Sequence, residues 1–116
     1  MPSEETSRLH IAMGTDGLLI TLAEECAELS QACCKLWRSY NGQTPVDIDK
    51  CMAALIEETA DVALMIDMVA ECLFTGEQLF KHWEVYSQKY DRMKQRLLKE
   101  GEHEHDEDER GEHQEV

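Results

Sequence analysis

The chain of 116 residues is predicted to be all-α, a helical bundle completed by oligomerisation. Three observations lead there. Apolar residues recur at the 3,4 spacing of amphipathic helices over most of the chain. Cap signals separate the long periodic stretches, at Asn41-Gly42, Thr44-Pro45 and Thr75-Gly76. The second stretch is apolar around most of its circumference, which marks a buried helix. In so short a chain a second subunit is expected to cover part of it.

The elements follow in order. Residues 1–14 form an N-terminal segment in which Ser3, followed by Glu4 and Glu5, caps a short helix through His10 to Met13. Gly14 is its stop. A helical domain then occupies residues 15–99. Its first helix starts at Thr15 or Asp16, either of which accepts from first-turn amides. It runs to Tyr40, where Asn41-Gly42 ends it with a left-handed cap. Leu18, Leu22, Leu29, Cys33, Leu36 and Tyr40 form its apolar stripe. At ~100° per residue Glu25 falls on the edge of that stripe, Glu28 lies just outside it, and Glu24 points further toward solvent.

For the second helix, Thr44 is the candidate cap, Pro45 suits the first helical position, and Asp47 stands where a capping-box acid reaches back. It continues to about Phe74. Glu58 falls among Cys51, Ala54, Leu55, Val62 and Met65, where an unpaired carboxylate is costly. Thr75-Gly76-Glu77-Gln78 opens a third helix that runs to about Lys99, and its last turns carry cations that complement the helix dipole. Residues 100–116 hold nine acids against one base, with almost nothing apolar, and are expected to be a disordered acidic tail.

Composition narrows the function. A net charge of −14 argues against nucleic acid, whose phosphates need a basic surface. No apolar run approaches the ~18 residues that cross a bilayer, and no signal-peptide pattern opens the chain. The expectation is a cytoplasmic protein with no membrane partner. Five cysteines with no C-x-x-C pattern behave as small hydrophobes rather than as zinc ligands.

Two acidic motifs remain, Glu25-x-x-Glu28 on the first helix and Glu58-x-x-Asp61 on the second. Helical spacing puts each pair on one face, with Cβ atoms about 5–6 Å apart. Either pair alone fits a solvated face, since glutamate is a good helix former. Occurring at similar places on neighbouring helices, each with one acid at an apolar edge, they can converge on a hard divalent cation such as Mg²⁺.

The segments Leu22-Ala-Glu-Glu-Cys-Ala-Glu-Leu29 and Leu55-Ile-Glu-Glu-Thr-Ala-Asp-Val62 resemble the MazG-like superfamily of all-α nucleoside triphosphate pyrophosphohydrolases. The resemblance covers residues 15–98. It implies a MazG-like helical bundle of four-helix type, assembled as a homodimer or homotetramer. It also implies a Mg²⁺-dependent reaction, with Mn²⁺ able to substitute, that converts a nucleoside triphosphate and water to the monophosphate and pyrophosphate. By match to the motif, Glu25, Glu28, Glu58 and Asp61 would be the metal ligands, with Glu24 and Glu57 beside them. Three features depart from the pattern: a slightly long gap between the motifs, Met93 where other members have asparagine, and the acidic tail.

On that implied chemistry, water attacks the α-phosphorus and Glu24 or Glu25 assists as base. Lys89, Arg92, Lys94 and Arg96 are candidates for stabilising the leaving pyrophosphate, and helix-end cations explain each of them equally well. Trp37 can stack on a nucleobase or pack in a core. Nucleotide-pool house-cleaning is the corresponding role. Two alternatives belong to other classes. A di-iron bundle pairs glutamates with Glu-x-x-His, and no glutamate within the helical domain, residues 15–99, has that partner. A non-catalytic helical dimerisation or adaptor module would carry the acids as mere surface and would gain nothing from Mg²⁺.

Overall fold

The computed structural model describes the backbone of residues 2–43 and 47–108, and side chains as far as Lys99. The described residues form three helices: α1, Glu4–Tyr40; α2, Ile48–Leu73; and α3, Gly76–Asp108. The all-α expectation holds for them. The chain divides after Gly76 into two units, α1 with α2 and then α3.

α1 joins what the sequence reads as two helices. Ser3 caps it, its hydroxyl accepting from the Thr6 amide at 3.1 Å. At Gly14 the backbone leaves the helical region, with φ 74° and ψ 160°. A side chain resists that conformation and glycine does not. The expected stop is thus a break inside a longer element. His10 Nε2 and Thr15 Oγ1 share a hydrogen bond of 3.2 Å across it.

The far end of α1 closes as Asn41-Gly42 predicts. Gly42 takes φ 66°, the Gly42 amide donates to the Ser39 carbonyl, and the Gln43 amide donates to that of Arg38. These are the two crossed bonds of a Schellman cap. The Asn41 side chain adds a bond of 2.8 Å to the Trp37 carbonyl.

α2 starts one turn later than the Thr44-Pro45 signal suggests. Asp47 is its cap, with Oδ1 accepting from the Asp49 amide at 2.9 Å, instead of the acid that reaches back to a cap. Thr44 and Pro45 lie outside the described residues.

The core is the seam between α1 and α2. Leu18 is fully buried against Met65 and Val69, with Leu22 and Met68 packed around them. At the other end Ala32 of α1 and Cys51 and Ala54 of α2 line one cleft, so the two helices run antiparallel. On α1 the positions Leu18, Leu22, Glu25, Leu29, Ala32 and Leu36 are all buried or half-buried. On α2 the same holds for Cys51, Leu55, Glu58, Val62, Met65 and Val69. Both sets alternate steps of three and four, the seam of a coiled-coil-like pair.

The strict alternation corrects the sequence-derived stripe. Cys33 and Tyr40 are exposed, and Ala32 takes the buried place expected of Cys33. α2 is not covered all round, since Ile56, Leu64 and Ile66 remain open. The Cys72 thiol lies 4.0 Å from the Thr6 carbonyl, which brings the segment before Gly14 against the end of α2.

α3 is a single long helix whose backbone extends to Asp108, beyond the end expected near Lys99. Trp83, Tyr86, Tyr90, Met93 and Leu97 form an exposed stripe along it. Trp83 and Tyr86 meet edge to face at 5.5 Å, and Lys81 pairs with Glu84 at 2.8 Å.

Candidate metal centre

The seam has two breaks in its apolar sequence, Glu25 on α1 and Glu58 on α2. Because the helices are antiparallel and in register at Leu18 with Met65 and at Ala32 with Cys51, these two positions fall at the same level. One turn further along each helix come Glu28 and Asp61. Oxygen atoms of Glu25, Glu28, Glu58 and Asp61 all lie within 4.8 Å of one another. Glu25 and Glu58 are half-buried, while Glu28 and Asp61 are exposed. The cluster therefore has a floor in the seam and an open outer rim.

The floor carries an electrostatic cost. Oε2 of Glu25 and Oε2 of Glu58 are buried and have no hydrogen-bond partner among the described residues. Burial raises the pKa of Glu25 above the ordinary carboxylate range, and the charges of Glu28, Asp61 and Glu58 add to it. Burial likewise raises Glu58, followed by the charges of Glu28 and Asp61. Loss of water disfavours the charged form, and so does each like charge nearby.

The donor set is all oxygen, with no thiol or imidazole in it. Such a set suits hard cations, Mg²⁺, Mn²⁺ or Ca²⁺, over softer metals. A cation bound there would satisfy the two orphaned oxygens and offset the mutual repulsion of the four acids. The residues fit a divalent ion on both counts.

The other candidate residues are not among the four that converge. Glu24 and Glu57 are exposed on the outer sides of α1 and α2. Trp37 neighbours the buried Leu36 but is itself 57% exposed, so it is not core. Lys89, Arg92, Lys94 and Arg96 are exposed on α3, in the other unit. Lys94 lies over the Tyr90 ring at 5.8 Å from its centroid.

The structure adds a feature that the motifs do not signal. Beginning one helical turn from the carboxylates, a cleft of about 390 Å³ opens between the helices, lined by Ala32, Lys35, Asp47, Lys50, Cys51 and Ala54. The clue in the sequence is slight: Lys35 and Lys50 each lie one turn from a small residue of the seam, at Ala32 and Ala54.

No family model matches the chain, and neither a curated protein nor a solved structure matches it. No helix among the described residues is long and apolar enough to cross a membrane.

Proposed function

We propose that the chain is a Mg²⁺-dependent nucleoside triphosphate pyrophosphohydrolase of MazG-like type, which releases pyrophosphate and leaves the nucleoside monophosphate. The observation that carries this reading is the meeting of four carboxylates from two helices, with one oxygen of Glu25 and one of Glu58 buried and unpartnered. An adaptor whose acids were mere surface would have no reason to place two of them in an apolar seam. Burial of carboxylates is costly, and a site that binds a cation gives that cost a use.

Glu25, Glu28, Glu58 and Asp61 would hold the ion. When bound, Mg²⁺ supplies positive charge that offsets both the carboxylates and the triphosphate and polarises phosphate oxygens. Glu58 and Asp61 fix the inner wall of the site from α2, and Glu25 and Glu28 from α1. The α-phosphorus gains a bond to the oxygen of an attacking water and loses its bond to the bridging oxygen of the β-phosphate. The water proton passes to Glu24 or Glu25, and pyrophosphate departs.

Assembly into a homodimer or homotetramer belongs to the same proposal. Ile11, Ile20, Ile56 and Leu64 are each well over half exposed, and large apolar surface of this kind marks an interface.

The test is a panel of ribo- and deoxynucleoside triphosphates with Mg²⁺, assayed separately for pyrophosphate and orthophosphate. Pyrophosphate release that is lost in Glu58→Gln supports the assignment. Orthophosphate as first product rejects attack at the α-position, and undiminished activity in Glu58→Gln rejects the ligand set.

A further inference from the structure

We infer that α3 of one copy packs into an uncharged trough on the α1–α2 pair of a second copy, whose own α3 returns the contact. The inference rests on the homo-oligomeric part of the proposal above and names the surfaces that meet; the reaction plays no part in it.

The trough follows from the seam. One residue on from each seam position of α1 stand Leu19, Ala23, Cys26, Ser30, Cys33 and Trp37, all exposed. One residue on from each seam position of α2 stand Met52, Ile56, Thr59, Ala63, Ile66 and Ala70, all exposed except the half-buried Ala70. A step of one residue turns ~100° about a helix. Because the two helices are antiparallel, both steps turn to the same side of the pair. The rows thus make one face without a charge on it, in a chain of net charge −14. The Thr59 hydroxyl donates to the Ile56 carbonyl at 2.9 Å, so covering the face leaves it satisfied. Glu28 and Asp61, three residues on from Glu25 and Glu58, turn to the opposite side, and the acid cluster stays open when the trough is filled.

The occupant follows from α3. Leu79, Trp83, Tyr86, Tyr90, Met93 and Leu97 alternate steps of four and three, the period that fits a helical seam. The last five are 46–59% exposed. From Leu19 to Trp37, from Met52 to Ala70 and from Leu79 to Leu97 is each time eighteen residues, about 27 Å of helix. The middle of the trough is small, at Cys26, Ser30 and Ala63, and the middle of the α3 stripe is large, at Tyr86 and Tyr90. Large side chains on one helix and small ones opposite interdigitate.

Charge and coverage select the pairing. Lys89, Lys94 and Arg96 border the α3 stripe, so two α3 helices pressed together would set cation against cation. Residues 77–99 hold six bases against three acids, and residues 1–76 hold four bases against thirteen acids, so α3 meets opposite charge on the α1–α2 pair. Joining two troughs face to face would leave the aromatic stripe of α3 in water, a large exposed apolar surface. Within one chain both surfaces stand open, and α3 of a second copy covers both at once. Each copy gives and receives the same contact, so the assembly closes.

The test combines sedimentation equilibrium of the full-length protein with mass-spectrometric mapping of maleimide labelling. Cys26 and Cys33 lie in the trough, whereas the exposed Cys34 points away from it. In the assembled parent, Cys34 should be labelled while Cys26 and Cys33 are protected. Tyr86→Glu puts a charge in the middle of the α3 stripe. It should lower the assembled mass by at least half and make Cys26 and Cys33 as reactive as Cys34. Ala63→Glu, on the trough side, should do the same, with the helical circular dichroism of both variants unchanged. Rapid labelling of Cys26 and Cys33 in the assembled parent would show the trough empty and overturn the contact, whatever the variants do. Full mass retained by Tyr86→Glu would also overturn it, by assigning assembly to another face. A monomeric parent would overturn the contact and the homo-oligomeric reading together, whereas the other two results overturn the contact alone.

Discussion

Glu25 and Glu58 face each other across the α1–α2 seam, each with its Oε2 buried and without a hydrogen-bond partner among the described residues. Each stands in a row of alternating three- and four-residue steps whose other described members are apolar. Two carboxylates in such positions are a standing electrostatic debt of the metal-free protein, and most of its expected behaviour follows from that.

Divalent cations should stabilise the folded chain. Each tenfold excess of Mg²⁺ over its dissociation constant adds about 1.4 kcal/mol once the site is saturated. Thermal melts with and without millimolar Mg²⁺ read this as a rise in Tm. Glu25→Gln and Glu58→Gln should melt higher than the parent in chelator at neutral pH, because each removes a disfavoured charge, and both should lose the response to Mg²⁺. A parent protein whose Tm ignores the ion would refute the centre.

Stability without metal should depend on pH in a definite direction. The folded-state pKa values of Glu25 and Glu58 are raised, so the folded state binds protons more tightly than the unfolded chain there. The resulting stabilisation is fully present below the ordinary carboxylate pKa of about 4.3 and is lost as pH rises through the raised values. With other groups constant, the contribution of these two acids falls from mildly acid to neutral pH. Tm profiles of the parent and the double Gln variant in chelator should therefore diverge as pH rises. Mg²⁺ should close the gap at the neutral end, where the deprotonated ligands compete best for the ion.

Leu18→Ala removes the one side chain among the described residues that is fully buried. Its partners Met65 and Val69 belong to the other helix, so the cavity opens in the seam between α1 and α2. The expected cost is about 2–5 kcal/mol, measured by urea unfolding at fixed Mg²⁺.

Gly14→Ala tests the break in α1. Nothing lies within 4 Å of an added Cβ, so sterics with neighbours are not the obstacle. The conformation itself, φ 74° with ψ 160°, is nearly exclusive to glycine and costs other residues about 1–3 kcal/mol. The variant should lose that much stability if the bend persists. If α1 straightens instead, the Thr6–Cys72 contact breaks, and Cys72 becomes reactive toward a thiol reagent.

Much of this was legible along the chain. Ser3 as a cap, the cap at Asn41-Gly42 and three long helices follow from hydrogen bonds between residues a few positions apart. Those choices are made locally, by side-chain shape and backbone freedom. The pairing of Glu25 with Glu28 and of Glu58 with Asp61 is local too, because helical pitch alone puts them on one face. Where local signals competed, the sequence misled. Thr44-Pro45 outweighed Asp47 on paper, and Cys33 looked a better core residue than Ala32, because hydrophobicity carries no information about the phase of a seam.

What the chain could not state about itself is register. Glu28 and Glu58 are thirty residues apart in sequence, and only the antiparallel packing of Leu18 on Met65 and Val69 sets them at one level. The same packing buries two carboxylate oxygens and lines one cleft with Lys35 and Lys50. By itself the sequence determined the helices and the face of each that bears acids. Tertiary structure decided that the acids meet and that two of them lose water, since desolvation and convergence depend on a neighbour that no local interaction selects.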